Sequence, residues 1–200
     1  LDGLCARVES LHRPRASAHT LQQRFAHATD LCAEAVRRTR VAAARRGWTD
    51  GFTVAARIRE YALATVRGRS PTECEALRES ATSAVANLAH APKAVRSILE
   101  HRLAAVAAGT VNPDVAANEA ALRLLCIRAE LISGAPTPPQ DLELRREYQM
   151  RRLVESMGQG ERVTPAALDD LALEWIAIGP VEPAVHDALL ARFERCRTAR

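Results

Sequence analysis

Five arginines, Arg37, Arg38, Arg40, Arg45 and Arg46, stand within ten residues with no acid among them. Guanidinium groups gathered on one surface attract polyanions, and arginine's planar fork matches phosphate oxygens two at a time. The chemistry they offer is contact with an RNA or DNA backbone, which is tolerant of sequence and steeply salt-dependent. Trp48 is the one aromatic beside them, which argues against reading single strands by base stacking. The competing reading is a solvated face that contacts acidic parts of the same protein or of a partner. Charge is uneven along the whole chain: residues 1–69 carry 13 basic and 6 acidic side chains, residues 70–200 carry 15 and 18. Every basic side chain except Lys93 is arginine.

Other reactive residue types form no catalytic pattern. The histidines, His12, His19, His27, His90, His101 and His186, make no H-E-x-x-H and adjoin no cysteine pair, so they read as surface or half-buried side chains and no metal is expected. Cys5 and His12 share the first segment, but nothing supplies an oxyanion hole or an orienting acid. Gly158-Gln159-Gly160 lacks the preceding strand and the following Lys-Ser/Thr of a phosphate loop and reads as a helix end and turn. Asp169 and Asp170 are adjacent and point to different helix faces, while Glu143 and Glu147 lie among Arg146 and Arg151. No catalytic residue and no cofactor is expected. Cys5, Cys32, Cys74, Cys126 and Cys196 form no C-x-x-C, and free buried thiols are the expectation.

The elements that carry these residues read as helices throughout. Of the 200 residues 39 are alanine, a strong helix former, and strand-favouring aromatics are few. The 48% hydrophobic content suits a globular fold and excludes wholesale disorder. Ser70-Pro71, Asn112-Pro113, Thr164-Pro165 and, less strictly, Glu182-Pro183 have the form of a cap followed by proline in the first turn. Ser70 with Glu73 and Thr20 with Gln23 have capping-box spacing. Gly47, Gly68, Gly109, Gly134, Gly158 and Gly179 each follow a helical stretch. These signals place nine helices at about 2–12, 18–46, 51–67, 71–89, 92–108, 113–133, 139–157, 165–178 and 183–198.

The second of these carries an apolar stripe, Leu21, Phe25, Ala28, Cys32, Val36, Thr39 and Ala43, with Arg37, Arg38 and Arg45 on the opposite side and Arg40 at its edge. The helix at 113–133 is apolar nearly all round and belongs at the centre of the C-terminal core. Its Arg123, Arg128 and Glu130 need partners there, and Asp141, Glu143 and Glu147 are the candidates for the arginines. A second basic cluster, Arg145, Arg146, Arg151 and Arg152, shares a helix with a face of Leu142, Gln149, Met150, Leu153 and Met157 that the pattern expects to be packed. Its arginines read as salt-bridge partners of the acidic C-terminal half.

Leu21-Gln22-Gln23-Arg24-Phe25, followed by a basic helix to Trp48, resembles the opening motif of the bacterial domain of unknown function 349 family. The stretch from Leu124 through Pro138 and Asp141 to Tyr148-Gln149-Met150 and Leu153, then Met157-Gly158-Gln159, is similar to the C-terminal region of large members of that family. Leu173-Glu174-Trp175 and Ala191-Arg192-Phe193-Glu194 fit the same region. The resemblance implies a helical, intracellular, multi-repeat bacterial protein of which this chain is the C-terminal part; it brings no catalytic residues.

The sequence thus predicts an all-α protein: a basic helical hairpin over 1–69 and a helical bundle over 70–200, which together can form one continuous domain. The expected role is a non-enzymatic interaction module of a cytoplasmic protein. Its partner is another protein or another part of the parent chain, or else RNA or DNA through the arginine face, and not a membrane. No apolar run approaches the ~20 residues of a membrane span. The chain begins at Leu1 rather than Met, as a fragment would.

Overall fold

A computed structural model describes residues 18–156 and 166–198. Among these the chain is all-helical, without strands, and seven α-helices are present: α1 (Ala18–Val66), α2 (Pro71–Ala86), α3 (Lys93–Ala107), α4 (Val115–Ser133), α5 (Leu142–Ser156), α6 (Ala166–Ala177) and α7 (Pro183–Thr198). A 3-10 turn, Pro139–Asp141, precedes α5. The helix expected over 2–12 and the Thr164-Pro165 start lie outside the described residues. Two compact units divide the chain at Leu1–Arg46 and Gly47–Arg200.

Most helix ends follow the sequence signals. Ser70 caps α2 in a complete capping box: its hydroxyl accepts from the Glu73 amide, and the Glu73 carboxylate accepts from the Ser70 amide at 3.2 Å. Gly68, Gly109 and Gly134 take positive φ and end helices, the conformation glycine adopts without a Cβ clash. Two starts differ. Asp114 rather than Asn112 caps α4, accepting from the Ala117 amide at 2.9 Å, while Asn112 accepts from the Asp114 amide at 3.0 Å. Thr20 lies inside α1, not at its start.

The break expected at Gly47 does not occur, and 18–46 and 51–67 are one helix instead of a hairpin. The glycine serves close packing. A Cβ at Gly47 would stand 2.1 Å from the carbonyl oxygen of His90, and one at Gly51 would stand 2.7 Å from Val95 Cγ1. Gly179 likewise has no positive φ; its missing Cβ makes room for the Asn118 side chain, which donates to the carbonyl of Pro180 at 3.1 Å.

Residues 47–66 of α1 belong to the second unit and bury a broad side in it, leaving a stripe through Thr53, Arg57 and Glu60 exposed. Phe52, Val54, Ala55, Ile58, Tyr61, Ala62, Leu63 and Ala64 are all buried. Around them α4 packs chiefly on α7 and then α6, α3 packs on α6, and α2 on α3. The expected central place of α4 is met, with Leu122, Leu125, Cys126, Ile127 and Ala129 buried. The scarce aromatics converge here: Phe193 stacks on Trp175 at 4.8 Å and meets Phe52 edge-on at 6.2 Å. The Arg197 guanidinium lies 4.7 Å over the Trp48 ring, a cation–π contact.

A buried ionic network ties α4, the 3-10 turn and α7 together. Arg192 donates from Nη2 to Glu130 at 3.0 Å and from Nη1 to Asp141. Thr137 donates to Glu130 at 2.6 Å, and Arg145 donates to the Thr137 hydroxyl at 2.7 Å. Burial works against the Arg192 charge, but its bonds to Glu130 and Asp141 outweigh that and raise its pKa. Arg123 pairs with Asp141 at 3.5 Å, as expected, and with Glu119 at 2.8 Å. Arg128 departs from expectation: it bonds Glu174 on α6, at 3.0 Å through Nη2.

Two stability outcomes follow. Gly47→Ala should destabilise the fold by roughly 1–3 kcal/mol in a denaturant titration, although alanine gains up to about 1 kcal/mol over glycine in an unobstructed helix. Glu130→Ala, which removes one of the two carboxylates that hold the buried Arg192 and the acceptor of Thr137, should cost up to about 3–5 kcal/mol; a loss under about 1 kcal/mol would show that the network is not what holds α7 to α4.

Candidate interaction surface

In the unit Leu1–Arg46 the described residues are helical. At about 100° per residue, Leu21, Phe25, Ala28, Cys32, Val36, Thr39 and Ala43 fall on one stripe roughly 33 Å long. The stripe is open. Phe25 is 76% exposed, Leu21 52% and Val36 49%, Cys32 is exposed, and only Ala28 and Ala43 are half-buried.

All five arginines singled out above are exposed, but they do not share one face. Arg37, Arg38 and Arg45 fall within about 100° of one another, Arg40 lies roughly 60° beyond Arg37, and Arg46 lies about 180° from Arg37, at the edge of the apolar stripe. Glu34 stands within the three-arginine face, bonded to Arg37 at 3.0 Å and to Arg38 at 2.9 Å. Glu34, Arg37, Arg38, Val41, Ala42 and Arg45 line an open depression in which Val41 is exposed. The basic face is therefore smaller and less positive than five arginines in ten residues suggested. The signal was the acid one turn upstream.

The second basic cluster gives a further exposed helix. Met150 and Leu153 are each 62% exposed, and Leu142 and Val154 are exposed as well, so the described part of the face expected to pack does not; Met157 lies outside the described residues. The sequence pattern was amphipathic, but α5 makes only slight contact with α4. Gln149 sits in solvent and needs no buried partner. Arg146 pairs within its own helix, with Glu143 at 3.3 Å, and Arg145 turns to Thr137.

No group of three or more His, Cys, Asp or Glu side chains among the described residues is placed to hold a metal ion. His27, His90 and His101 are exposed as expected, whereas His186 is buried. Cys126 and Cys196 are buried, and burial pushes the Cys126 thiol up to about 12, far from a reactive thiolate. Cys32 is exposed and Cys74 half-buried, contrary to the expectation of buried thiols. Asp169 meets Arg197 at 3.4 Å. Cys5, His12 and the Gly158-Gly160 turn lie outside the described residues. None of the described helices is long and apolar enough to cross a membrane.

Glu34→Gln should shift elution from a cation-exchange column to higher salt by freeing Arg37 and Arg38. Exposed ion pairs contribute about 0–1 kcal/mol, so the melting temperature should barely move; unchanged elution would mean that Glu34 does not mask this face. The sequence matches no protein-family model, and no curated protein or solved structure matches it significantly.

Proposed function

We propose that this chain is a non-enzymatic helical interaction module of a larger bacterial intracellular protein, and that it docks a partner protein along residues 21–43 of α1. The observation that carries this reading is the open apolar stripe Leu21, Phe25, Cys32 and Val36. A contiguous exposed apolar strip on a helix is the usual form of a surface buried by another protein. Arg40 and Arg46, near the edges of the stripe, favour an acidic rim on that partner. The bacterial and intracellular parts of the reading rest on the resemblance of residues 21–25 and 124–153. The runner-up, RNA or DNA backbone binding through the arginines, is less supported, because Glu34 neutralises part of the face and a polyanion makes no use of Leu21 and Phe25.

A photo-crosslinking residue at position 25, incorporated in cells of the source, should capture one protein. With that protein purified, Phe25→Asp and Val36→Asp should each weaken binding about tenfold or more, since each removes a buried apolar contact of roughly 1.5–3 kcal/mol. Crosslinks to nucleic acid alone, with binding that falls steeply with salt and is lost on changing Arg37, Arg38 and Arg45 to Ala, would replace this reading by the runner-up. Equal affinity of both Asp variants for the captured protein would exclude the stripe as its docking site.

A further inference from the structure

The second unit buries two arginines on which no carboxylate acts among the described residues. Arg59 on α1 is 2% exposed and Arg102 on α3 is 6%. Arg59 donates from Nε to the carbonyls of Ile178 and Gly179, each at 3.2 Å, and from Nη2 to the carbonyl of Trp175. Arg102 donates from Nη1 to the carbonyl of Ile176 at 2.5 Å. Trp175 and Ile176 are successive residues in the last turn of α6, so the two guanidinium groups converge on one helix end.

Those carbonyls satisfy some donors but not the charge. A helix C-terminus presents about half of one negative charge, against two full positive charges here. Burial, and then the Arg102 charge, pull the Arg59 pKa well down, and burial pulls Arg102 down to about 10. Arginine nevertheless keeps its proton at neutral pH, so the lowered values express the cost of holding two like charges in the interior.

Donors are also left over. Arg59 Nη1, Arg102 Nη2 and Trp175 Nε1 are buried and find no hydrogen-bond partner among the described residues. His186 Nε2 is in the same condition, and its ring lies 6.3 Å from that of Trp175. Its Nδ1 faces Asp187 at 3.1 Å, so Nε2 becomes a donor only when the ring is protonated. Burial, and then the Arg59 charge, oppose that protonation. Half-buried Arg96 offers the contrast. It donates to carbonyls at the end of α2 in the same manner, yet leaves no buried atom without a partner.

We propose that Arg59 and Arg102 form a buried binding site for one small anion of chloride's size. Charge sets the sign of the ligand, since only an anion offsets both guanidinium groups. Enclosure sets its size. Arg59 Nη1 and Arg102 Nη2 are shut off from solvent, which favours a monatomic ion over a bulky phosphate ester. The ion stabilises the bundle where α1, α3 and α6 meet. This assignment is independent of the docking stripe.

The test uses the whole chain. Its melting temperature should rise saturably by several degrees as bromide or chloride is raised from about 1 to 100 mM, with ionic strength held constant by a bulky organosulfonate. Arg102→Met should abolish that rise. Crystals grown in bromide should show an anomalous peak between Arg59 and Arg102, a readout that needs no variant. An ordered water at that position, a peak with no accompanying thermal effect (an adventitious ion only), or an equal thermal rise in the variant would overturn the proposal.

Discussion

Between Gly51 and Ala64 only Thr53, Arg57 and Glu60 are fully exposed, so other helices must enclose this part of α1 on its remaining sides. That constraint shapes the second unit. An enclosed helix needs neighbours close to its backbone, which is why glycine stands at 47 and 51, where His90 and Val95 approach. It also needs large side chains to fill the space between axes, and Phe52 supplies one by joining the Phe193–Trp175 stack. Its one buried charge, Arg59, falls within reach of the end of α6, whose carbonyls lack intrahelical donors. Packing, aromatic contacts and the buried guanidinium are thus consequences of one helix keeping only the narrow solvent stripe of Thr53, Arg57 and Glu60.

The bundle buries arginine in two different ways. Arg192 sits between two carboxylates, Glu130 and Asp141, and its charge is held by them. Such a network returns its desolvation cost only when every member is bonded, and here Thr137 and Arg145 complete it. Arg59 and Arg102 instead bond uncharged carbonyls, which direct them without neutralising them. Both arrangements fix how helices meet. Only the second leaves positive charge unanswered, and that asymmetry separates a structural network from a place for an ion.

Helix positions were legible because their signals are local: a Ser70–Glu73 box or a glycine at positive φ acts within one turn. Gly47 misled because a glycine before a tryptophan reads equally as a stop or as a close contact, and the atom that decides, the His90 carbonyl, is 43 residues away. The stretch 51–64 shows the same limit. Its nearly all-round apolar pattern equals that of α4, but adjacency to the arginine-rich segment drew it into a basic hairpin. The Arg59, Arg102, Trp175 and His186 grouping had no sequence signal, since its members come from four helices. The arginine face was legible residue by residue, but counting basic side chains overlooked Glu34, whose effect depends on the helical turn that sets it against Arg37 and Arg38.

Amphipathic periodicity states that a helix has an apolar side; it does not state where that side is covered. In α1 the pattern has two outcomes. Gly47 is the first buried position among the described ones, Trp48 is half-buried beneath Arg197, and from Phe52 to Ala64 the apolar positions are interior, with Ala56 alone half-buried. Before Gly47 the stripe has the same spacing and stays open. Both segments carry large apolar side chains: Phe52, Val54, Ile58, Tyr61 and Leu63 are buried in one, whereas Leu21, Phe25 and Val36 stand open in the other. Under the proposed function it is this uncovered stripe, more than the arginines, that carries the docking along residues 21–43.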